Sequence, residues 1–190
     1  KDIVAGDFHW MFTGGDGGQG TDEIFIAAAD CTGHGVPGAI VSVVCSNALN
    51  RTVKEFGLRS TGKILDKVTE LVLETFEKSD KDVKDGMDIS LLSCKMENGK
   101  WKVEWSGANN PLWYIQNGIV NEINPDKQPI GKHDHRKPFT THLLPITDHR
   151  SPITFYLFTD GYADQFGGAK GKKFKYKQLQ EKLLAICNLS

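Results

Sequence analysis

Three apolar stretches of this chain each lead directly into an aspartate. The three aspartates are Asp7, Asp30 and Asp160. A carboxylate at the end of a buried strand has lost much of its water, and an unpaired buried charge is strongly destabilising. Three such strand ends predict that the carboxylates converge on something positive. A divalent metal ion is the simplest candidate, because such ions prefer oxygen ligands.

Length and composition are those of a soluble globular protein: 190 residues, 39% apolar and 25% charged. We therefore expect a single domain, residues 1–190. Because the net charge is only -1, the composition points to neither a nucleic-acid partner nor membrane contact. No apolar run reaches the roughly 18 to 20 residues that cross a bilayer. The four cysteines lack CxxC spacing, so we expect reduced thiols and a cytoplasmic location.

Hydrophobic spacing and turn residues predict the order of the elements. The predicted strands are 3–10, 22–29, 88–95, 101–106, 112–115, 119–123, 138–144 and 153–159. The predicted helices are 37–56, 61–78 and 175–184. Asn98-Gly99 and Asn117-Gly118 predict tight turns between neighbouring strands, and hence antiparallel pairing. This order favours an α+β layered fold over alternating βαβ units.

The acidic strand ends predict a pair of metal ions that share a ligand. Asp30, at the end of a central strand, is best placed to bridge two ions, and Asp7 and Asp160 would each complete a shell. The turn after Asp30 offers a main-chain carbonyl, that of Cys31, as another oxygen ligand. Asp85 and Asp88 fit two interpretations equally, a turn or further acids of the site, since Asp-Gly pairs commonly mark turns.

Five motifs, taken together and in order, resemble a known protein family. The motifs are GDF (6–8), AADCTGHGVPGA (28–39), DGMD (85–88), SGANNPL (106–112) and FTDGYAD (158–164). They resemble the bacterial sporulation-stage-two-E and sigma-regulation serine phosphatases. These enzymes are a branch of the metal-dependent protein phosphatase (PPM, protein phosphatase 2C-like) superfamily.

The resemblance implies a four-layer αββα sandwich of two mainly antiparallel sheets, with two Mn²⁺ or Mg²⁺ ions at one end. It also implies hydrolysis of phosphoserine or phosphothreonine by a metal-activated water. In this reading the metal ligands are Asp7, Asp30, the carbonyl of Cys31, and Asp160. Asp30 and Asp160 are then also the catalytic acids. His34 could protonate the leaving serine oxygen, but a histidine that orders the turn or the next helix is the favoured interpretation.

Family members also carry segments that we do not find in these 190 residues. They begin with an extra strand and close with a strand that bears a further acidic metal ligand. We therefore expect truncation at both ends, and the alternative function is a catalytically weak or silent pseudophosphatase that acts as a regulatory protein-binding module. A nuclease is a weaker alternative, because we find no basic stripe with interleaved aromatics.

Other polar clusters have simpler interpretations. The cluster His133-Asp134-His135 is predicted to be a surface loop, since no further ligands complete a metal shell. The glycine-rich stretch 14–20 is predicted to be a hairpin loop, and Asp164 is either near the metals or a polar helix-side group.

The resemblance also implies partners and a location. The substrate would be a phosphorylated regulatory protein of the anti-sigma-factor-antagonist type. An upstream sensor in the parent chain, or a homodimer contact, would act through helices 37–56 and 61–78. The location would be the cytoplasm, or the cytoplasmic side of a membrane-anchored sensor.

Overall fold

The computed structural model describes residues 5–14, 23–77, 85–144, 146, 152–167 and 171–187. The strands are β1 Phe8–Gly14, β2 Glu23–Cys31, β3 Met87–Glu97, β4 Lys100–Ala108, β5 Leu112–Gln116, β6 Ile119–Ile123, β7 His142–Leu144, β8 Ile153–Tyr156, β9 Phe166–Gly167 and β10 Lys172–Lys173. The helices are α1 Gly35–Lys54, α2 Thr61–Glu77 and α3 Lys175–Cys187.

The strands form two main antiparallel sheets and a short hairpin. The larger sheet has the order β1-β2-β3-β4-β7, the smaller has the order β6-β5-β8, and β9 pairs with β10. The predicted turns are present at both hairpins. Asn98 and Asn117 adopt φ of 51° and 52°, each followed by a glycine with positive φ. Asparagine and glycine tolerate this left-handed conformation, which explains why these two pairs set the hairpins.

Two apolar clusters separate the layers. Alternate residues of β2, such as Phe25 and Ala27, pack with α1 and α2 in the first cluster, together with Leu49 and Ile64. The second cluster joins the two sheets and includes Trp105 of β4 and Leu112 of β5. Because side chains alternate along a strand, each sheet can serve two layers.

The third helix covers the outer face of the smaller sheet. Tyr176 of α3 stacks edge-on against Trp113 of β5, with ring centroids 5.8 Å apart. Gln180 of α3 donates a hydrogen bond to Glu122 of β6 at 3.5 Å. The layers therefore run helix pair, sheet, sheet, helix. The predicted α+β fold with αββα layers is confirmed.

Strand positions differ from the prediction in three places. The first strand spans 8–14 rather than 3–10, so Asp7 stands before the strand instead of within it. The strands predicted at 138–144 and 153–159 are limited to 142–144 and 153–156. Main-chain groups of Phe139 and Thr140 bond to the side chains of Asp66 and Asp126 instead of to a neighbouring strand, and the Phe158 carbonyl accepts from the Asn110 side chain. The β9–β10 hairpin was missed, since two-residue strands leave no periodic pattern. Most of the predicted glycine loop 14–20 lies outside the described residues.

Among the helices that the structure describes, none combines the length and the apolar character needed to cross a membrane.

Candidate functional site

Three aspartates lie at one edge of the larger sheet. Asp30 near the end of β2 is directly opposite Asp88 near the start of β3. Asp7 precedes β1, whose first residue, Phe8, pairs with Ala29. Because neighbouring strands are antiparallel, the start of β1, the end of β2 and the start of β3 fall at the same edge. Sheet register alone therefore brings these acids together.

A fourth aspartate reaches this edge from the smaller sheet. Asp160 lies in the turn that follows β8. Its neighbour Thr159 donates a hydrogen bond from Oγ1 to Oδ2 of Asp7 at 2.8 Å. Asn110, which is buried, donates from Nδ2 to the carbonyl of Phe158 at 2.6 Å. These two bonds fix the turn against Asp7. We call Asp7, Asp30, Asp88 and Asp160 the acid cluster.

The acid cluster is electrostatically crowded around Asp30. Burial, a hydrogen bond with Asp7 and the negative charge of Asp7 raise the pKa of Asp30 to about 7. The charges of Asp160 and Asp88 act in the same direction. A raised carboxyl pKa means that the neutral form is favoured. A nearby cation would reverse this preference.

The pKa values of Asp88 and Asp160, two other members of the cluster, are also raised. Burial raises the pKa of Asp88 and the charge of Asp160 adds to this, although Asn109 lowers it by donating a hydrogen bond at 2.9 Å. Burial and the charges of Asp164 and Asp7 raise the pKa of Asp160, and Lys173 opposes them. Like charges in one partly buried place thus disfavour full ionisation of the cluster.

The turn after Asp30 is held by the DGMD motif. Oγ1 of Thr32 donates to Oδ1 of Asp85 at 3.1 Å and accepts from the Gly86 N–H at 3.1 Å. The main-chain N–H of Thr32 also donates to the Gly86 carbonyl at 3.0 Å. The structure therefore separates the two acids of this motif: Asp85 anchors the turn, whereas Asp88 belongs to the acid cluster.

The main chain of Cys31 lies beside the segment that precedes β1. A Cβ atom added to Gly6 would be 2.8 Å from the Cys31 carbonyl oxygen and 3.3 Å from that of Gly33. Only glycine leaves this space beside two carbonyl oxygens. The thiol of Cys31 is buried in the first apolar cluster. A hydrogen bond with Cys45, followed by burial, raises the pKa of this thiol well above its usual value. The side chain of Cys31 is therefore a core residue.

The remaining predicted residues occupy distinct positions. His34 is the N-cap residue of α1, with an exposed side chain. Asp164 pairs with Lys173 at 2.6 Å, and its N–H donates to the Asp160 carbonyl at 2.9 Å. His133 and His135 are exposed in the loop between β6 and β7, as predicted for a surface loop. The roles of these residues stay predictions.

Sequence reasoning missed the residues that position the acids. Thr159 donates a hydrogen bond to Asp7, and Asn109 donates one to Asp88. Asn110 donates to the carbonyl of Phe158, two residues before Asp160. All three lie within the SGANNPL and FTDGYAD motifs, so the motifs themselves were the available signal. Their chemical role could not be inferred, because each partner is distant in sequence.

A pocket of about 190 Å³ opens beside Asp30 and Asp88. Gly86 and Ile130 are among its lining residues, and the main chains of Met87 and Ile130 form two hydrogen bonds there, of 3.0 and 2.9 Å. Lys132 also lines it, at the start of the exposed part of the loop. The pocket gives solutes access to the edge of the acid cluster.

The donor chemistry of the site fits a hard divalent cation. Carboxylates and main-chain carbonyls are the ligands that Mg²⁺ and Mn²⁺ prefer, and the space beside Gly6 is lined by two such carbonyls. In the described part of the chain, however, no three His, Cys, Asp or Glu side chains are arranged closely enough to hold an ion. The acids are thus neighbours without a closed coordination shell.

Comparison with known proteins identifies the family. The sequence profile described as Stage II sporulation protein E (SpoIIE) matches residues 20–188. The chain belongs to the SpoIIE family. The resemblance to this branch of the PPM phosphatase superfamily, based on the five motifs, is confirmed. Among curated proteins, no sequence matches this SpoIIE-family chain significantly.

Solved structures show the same fold. The SiaA-PP2C domain of Pseudomonas aeruginosa is 27% identical, with a TM-score of 0.75 over 96% of this chain and 67% of that chain. The RsbU and RsbW domains of Rv1364c from Mycobacterium tuberculosis are 16% identical, with a TM-score of 0.63 over 96% of this chain and 47% of that chain. RsbX in complex with magnesium is 15% identical, with a TM-score of 0.53 over 97% of this chain and 81% of that chain.

Proposed function

We propose that this SpoIIE-family chain is a metal-dependent serine/threonine protein phosphatase. Residues 1–190 would act as one catalytic domain, the output of a bacterial signalling protein. The observation that carries the proposal is the acid cluster, in which four aspartates from four distant parts of the chain meet at one sheet edge. Such crowding is unfavourable without a compensating cation. Family membership supports the same activity.

Two Mn²⁺ or Mg²⁺ ions would be held by Asp7, Asp30, Asp160 and the carbonyl of Cys31. Bound ions of this kind supply Lewis acidity and lower the pKa of water at neutral pH. Asp30 would have to lose its proton as the cations bind. Thr159 and Asn109 orient their carboxylates through the hydrogen bonds to Asp7 and Asp88.

His34 is the candidate for protonating the leaving serine oxygen, since it follows the turn after Asp30. Its side chain is exposed, which supports access to a bound substrate.

The partner would be a phosphorylated regulatory protein in the cytoplasm, of the anti-sigma-factor-antagonist type. Support comes from the signalling context of similar structures, one of which contains RsbU and RsbW domains. The α1–α2 pair would receive the signal from an upstream sensor or a second copy of the chain. A short turn, residues 32–34, joins Cys31 at the end of β2 to the start of α1, so movement of this helix would also move the proposed ligands.

Hydrolysis of para-nitrophenyl phosphate with Mn²⁺ tests the activity. Asp30→Asn and Asp160→Asn should each lower kcat/KM by at least about 100-fold, because even the loss of a residue that only orients a ligand costs about 10- to 100-fold. Asp134→Asn, which changes an exposed aspartate in the loop between β6 and β7, is the matched control and should keep wild-type activity. Full activity in both cluster variants would refute the proposed mechanism.

The second candidate function is a pseudophosphatase that binds a regulatory protein. The lack of a closed ligand set among the described residues favours this alternative. Calorimetric titration with Mn²⁺ separates the two functions. Binding of two ions together with turnover supports the phosphatase, whereas a folded protein that takes up no Mn²⁺ supports the pseudophosphatase.

A further inference from the structure

A basic segment lies next to the acid cluster. Residues 171–177 read Gly-Lys-Lys-Phe-Lys-Tyr-Lys, with four lysines and no acidic residue, although the whole chain has a net charge of only -1. We call residues 171–177 the lysine segment. It comprises β10 and the beginning of α3. Such a local excess of positive charge attracts anionic partners.

The lysine segment is fixed to the turn that carries Asp160. The N–H of Phe174 donates to the Gln165 carbonyl at 2.9 Å, and the N–H of Lys175 donates to the Ala163 carbonyl at 2.7 Å. The ring of Phe174 meets Tyr162 edge-on, with centroids 5.4 Å apart. The lysines therefore keep a defined position relative to the acid cluster.

Electrostatic interactions place the lysine segment within reach of the acid cluster. Lys173 pairs with Asp164 at 2.6 Å and also lowers the pKa of Asp160. Burial raises the pKa of Tyr176, and the charges of Asp160, Asp164 and Asp30 act in the same direction. A molecule bound at the cluster would therefore lie beside this segment.

Within the described part of the chain, three of the four lysines lack an ion-pair partner. Lys172, Lys175 and Lys177 are exposed, and none of them forms an ion pair with another described residue. Exposed aromatic rings accompany them: the exposed fraction is 76% for Phe166 and 43% for Tyr176. Phe166 pairs with Lys173 across the β9–β10 hairpin. Aromatic residues are enriched in protein interfaces, where they supply contact area.

We propose that the lysine segment is the docking surface for an acidic face of the phosphoprotein substrate, next to its phosphorylated residue. This inference rests on the proposed phosphatase function and adds the substrate class: phosphoproteins with carboxylates near the phosphosite. A nucleic acid fits less well. Its phosphates follow one another along the strand, so those next to the lysine segment would be repelled by the carboxylates of the acid cluster. A protein can present one phosphate to the cluster and separate carboxylates to the lysines.

The test compares two phosphoserine peptides, one flanked by glutamates and one by glutamines. Binding is measured by fluorescence anisotropy, which requires no turnover. The wild-type protein should bind the acidic peptide about tenfold more tightly than the neutral one. The triple variant Lys172→Gln/Lys175→Gln/Lys177→Gln should lose this preference, as expected for three weak surface ion pairs. Lys173 is left unchanged because it pairs with Asp164.

A second triple variant controls for net charge. Lys54→Gln/Lys63→Gln/Lys100→Gln removes three exposed lysines elsewhere and should keep the preference for the acidic peptide. Equal binding of both peptides by the wild-type protein, or an equal loss in the two triple variants, would overturn the proposal. So would tighter binding of a single-stranded oligonucleotide that competes with the acidic peptide. If the peptides bind as expected and neither is hydrolysed with Mn²⁺, the proposed activity fails while the docking surface stands.

Discussion

At the level of single residues, Asp30 has two conflicting requirements. A metal ligand must be ionised, whereas burial and the neighbouring acids raise the pKa of Asp30 to about 7. An unfolded aspartate ionises near pH 4. Between these two pH values the folded protein without metal binds more protons than the unfolded chain. Its stability must therefore fall as the pH rises through this window.

We expect the free energy of unfolding of the metal-free protein to fall by about 1–2 kcal/mol between about pH 4 and pH 7, after allowance for solvent screening of this partly exposed group. Asp30→Asn should remove most of this dependence and stabilise the metal-free protein at about pH 8. Urea denaturation with a chelator, at about pH 5 and about pH 8, measures it. Asp134→Asn should behave as the wild type does. An Asp30→Asn variant that loses stability as steeply as the wild type would contradict the electrostatic explanation.

At the level of elements, the contact between β3 and the loop after β6 shapes the site. Gly86 precedes β3, and a Cβ atom added there would collide with the Ile130 carbonyl oxygen. The main chain of the same glycine forms two hydrogen bonds with Thr32, in the turn after Asp30. One small residue thus lets the loop, the turn and the strand meet beside the pocket.

Gly86→Ala should destabilise the protein by about 1–3 kcal/mol, the usual cost of overpacking a close contact. Because the added atom meets main chain rather than a flexible side chain, the loop cannot adjust without breaking the hydrogen bonds between Met87 and Ile130. Gly167→Ala is the matched control, since a Cβ atom there meets nothing within 4 Å. Thermal and urea unfolding measure both variants. Equal stability of the two would show that the close approach at Gly86 is unimportant.

Strand faces could be predicted from the sequence, but their coverage could not. Trp101, Val103 and Trp105 occupy every second position of β4 and therefore lie on one face of the strand. Trp105 is fully buried between the sheets, whereas Trp101, near the Asn98-Gly99 turn, is 45% exposed. Alternation follows from local strand geometry, but burial depends on how far the opposite sheet extends.

At the level of the whole molecule, metal binding should stabilise the fold, because the acid cluster joins both sheets. Asp30 and Asp88 come from the larger sheet, and Asp160 follows a strand of the smaller one. A ligand that binds only the folded state increases its stability by mass action. Neutralising the crowded carboxylates would therefore hold the two sheets together at this end.

With Mn²⁺ at about 100 times its dissociation constant, we expect the free energy of unfolding to increase by about 2.7 kcal/mol at about pH 8. The gain should be smaller at about pH 5, because protons compete for the carboxylates. Calorimetric melting curves with and without Mn²⁺ measure this gain. Asp160→Asn should reduce it strongly. A gain that is the same in the wild type and in this variant would place the bound metal elsewhere.

The sequence by itself determined the α+β class, the two asparagine-glycine hairpins and the family, since each depends on local spacing or on motifs in order. It also singled out Asp7, Asp30 and Asp160. Only the tertiary structure decided that Asp7 stands before β1, and that Asp88 rather than Asp85 faces Asp30. The reason is physical: strand register and the contacts between sheets join residues far apart in the chain, and no local pattern specifies which of two nearby acids will face a distant partner.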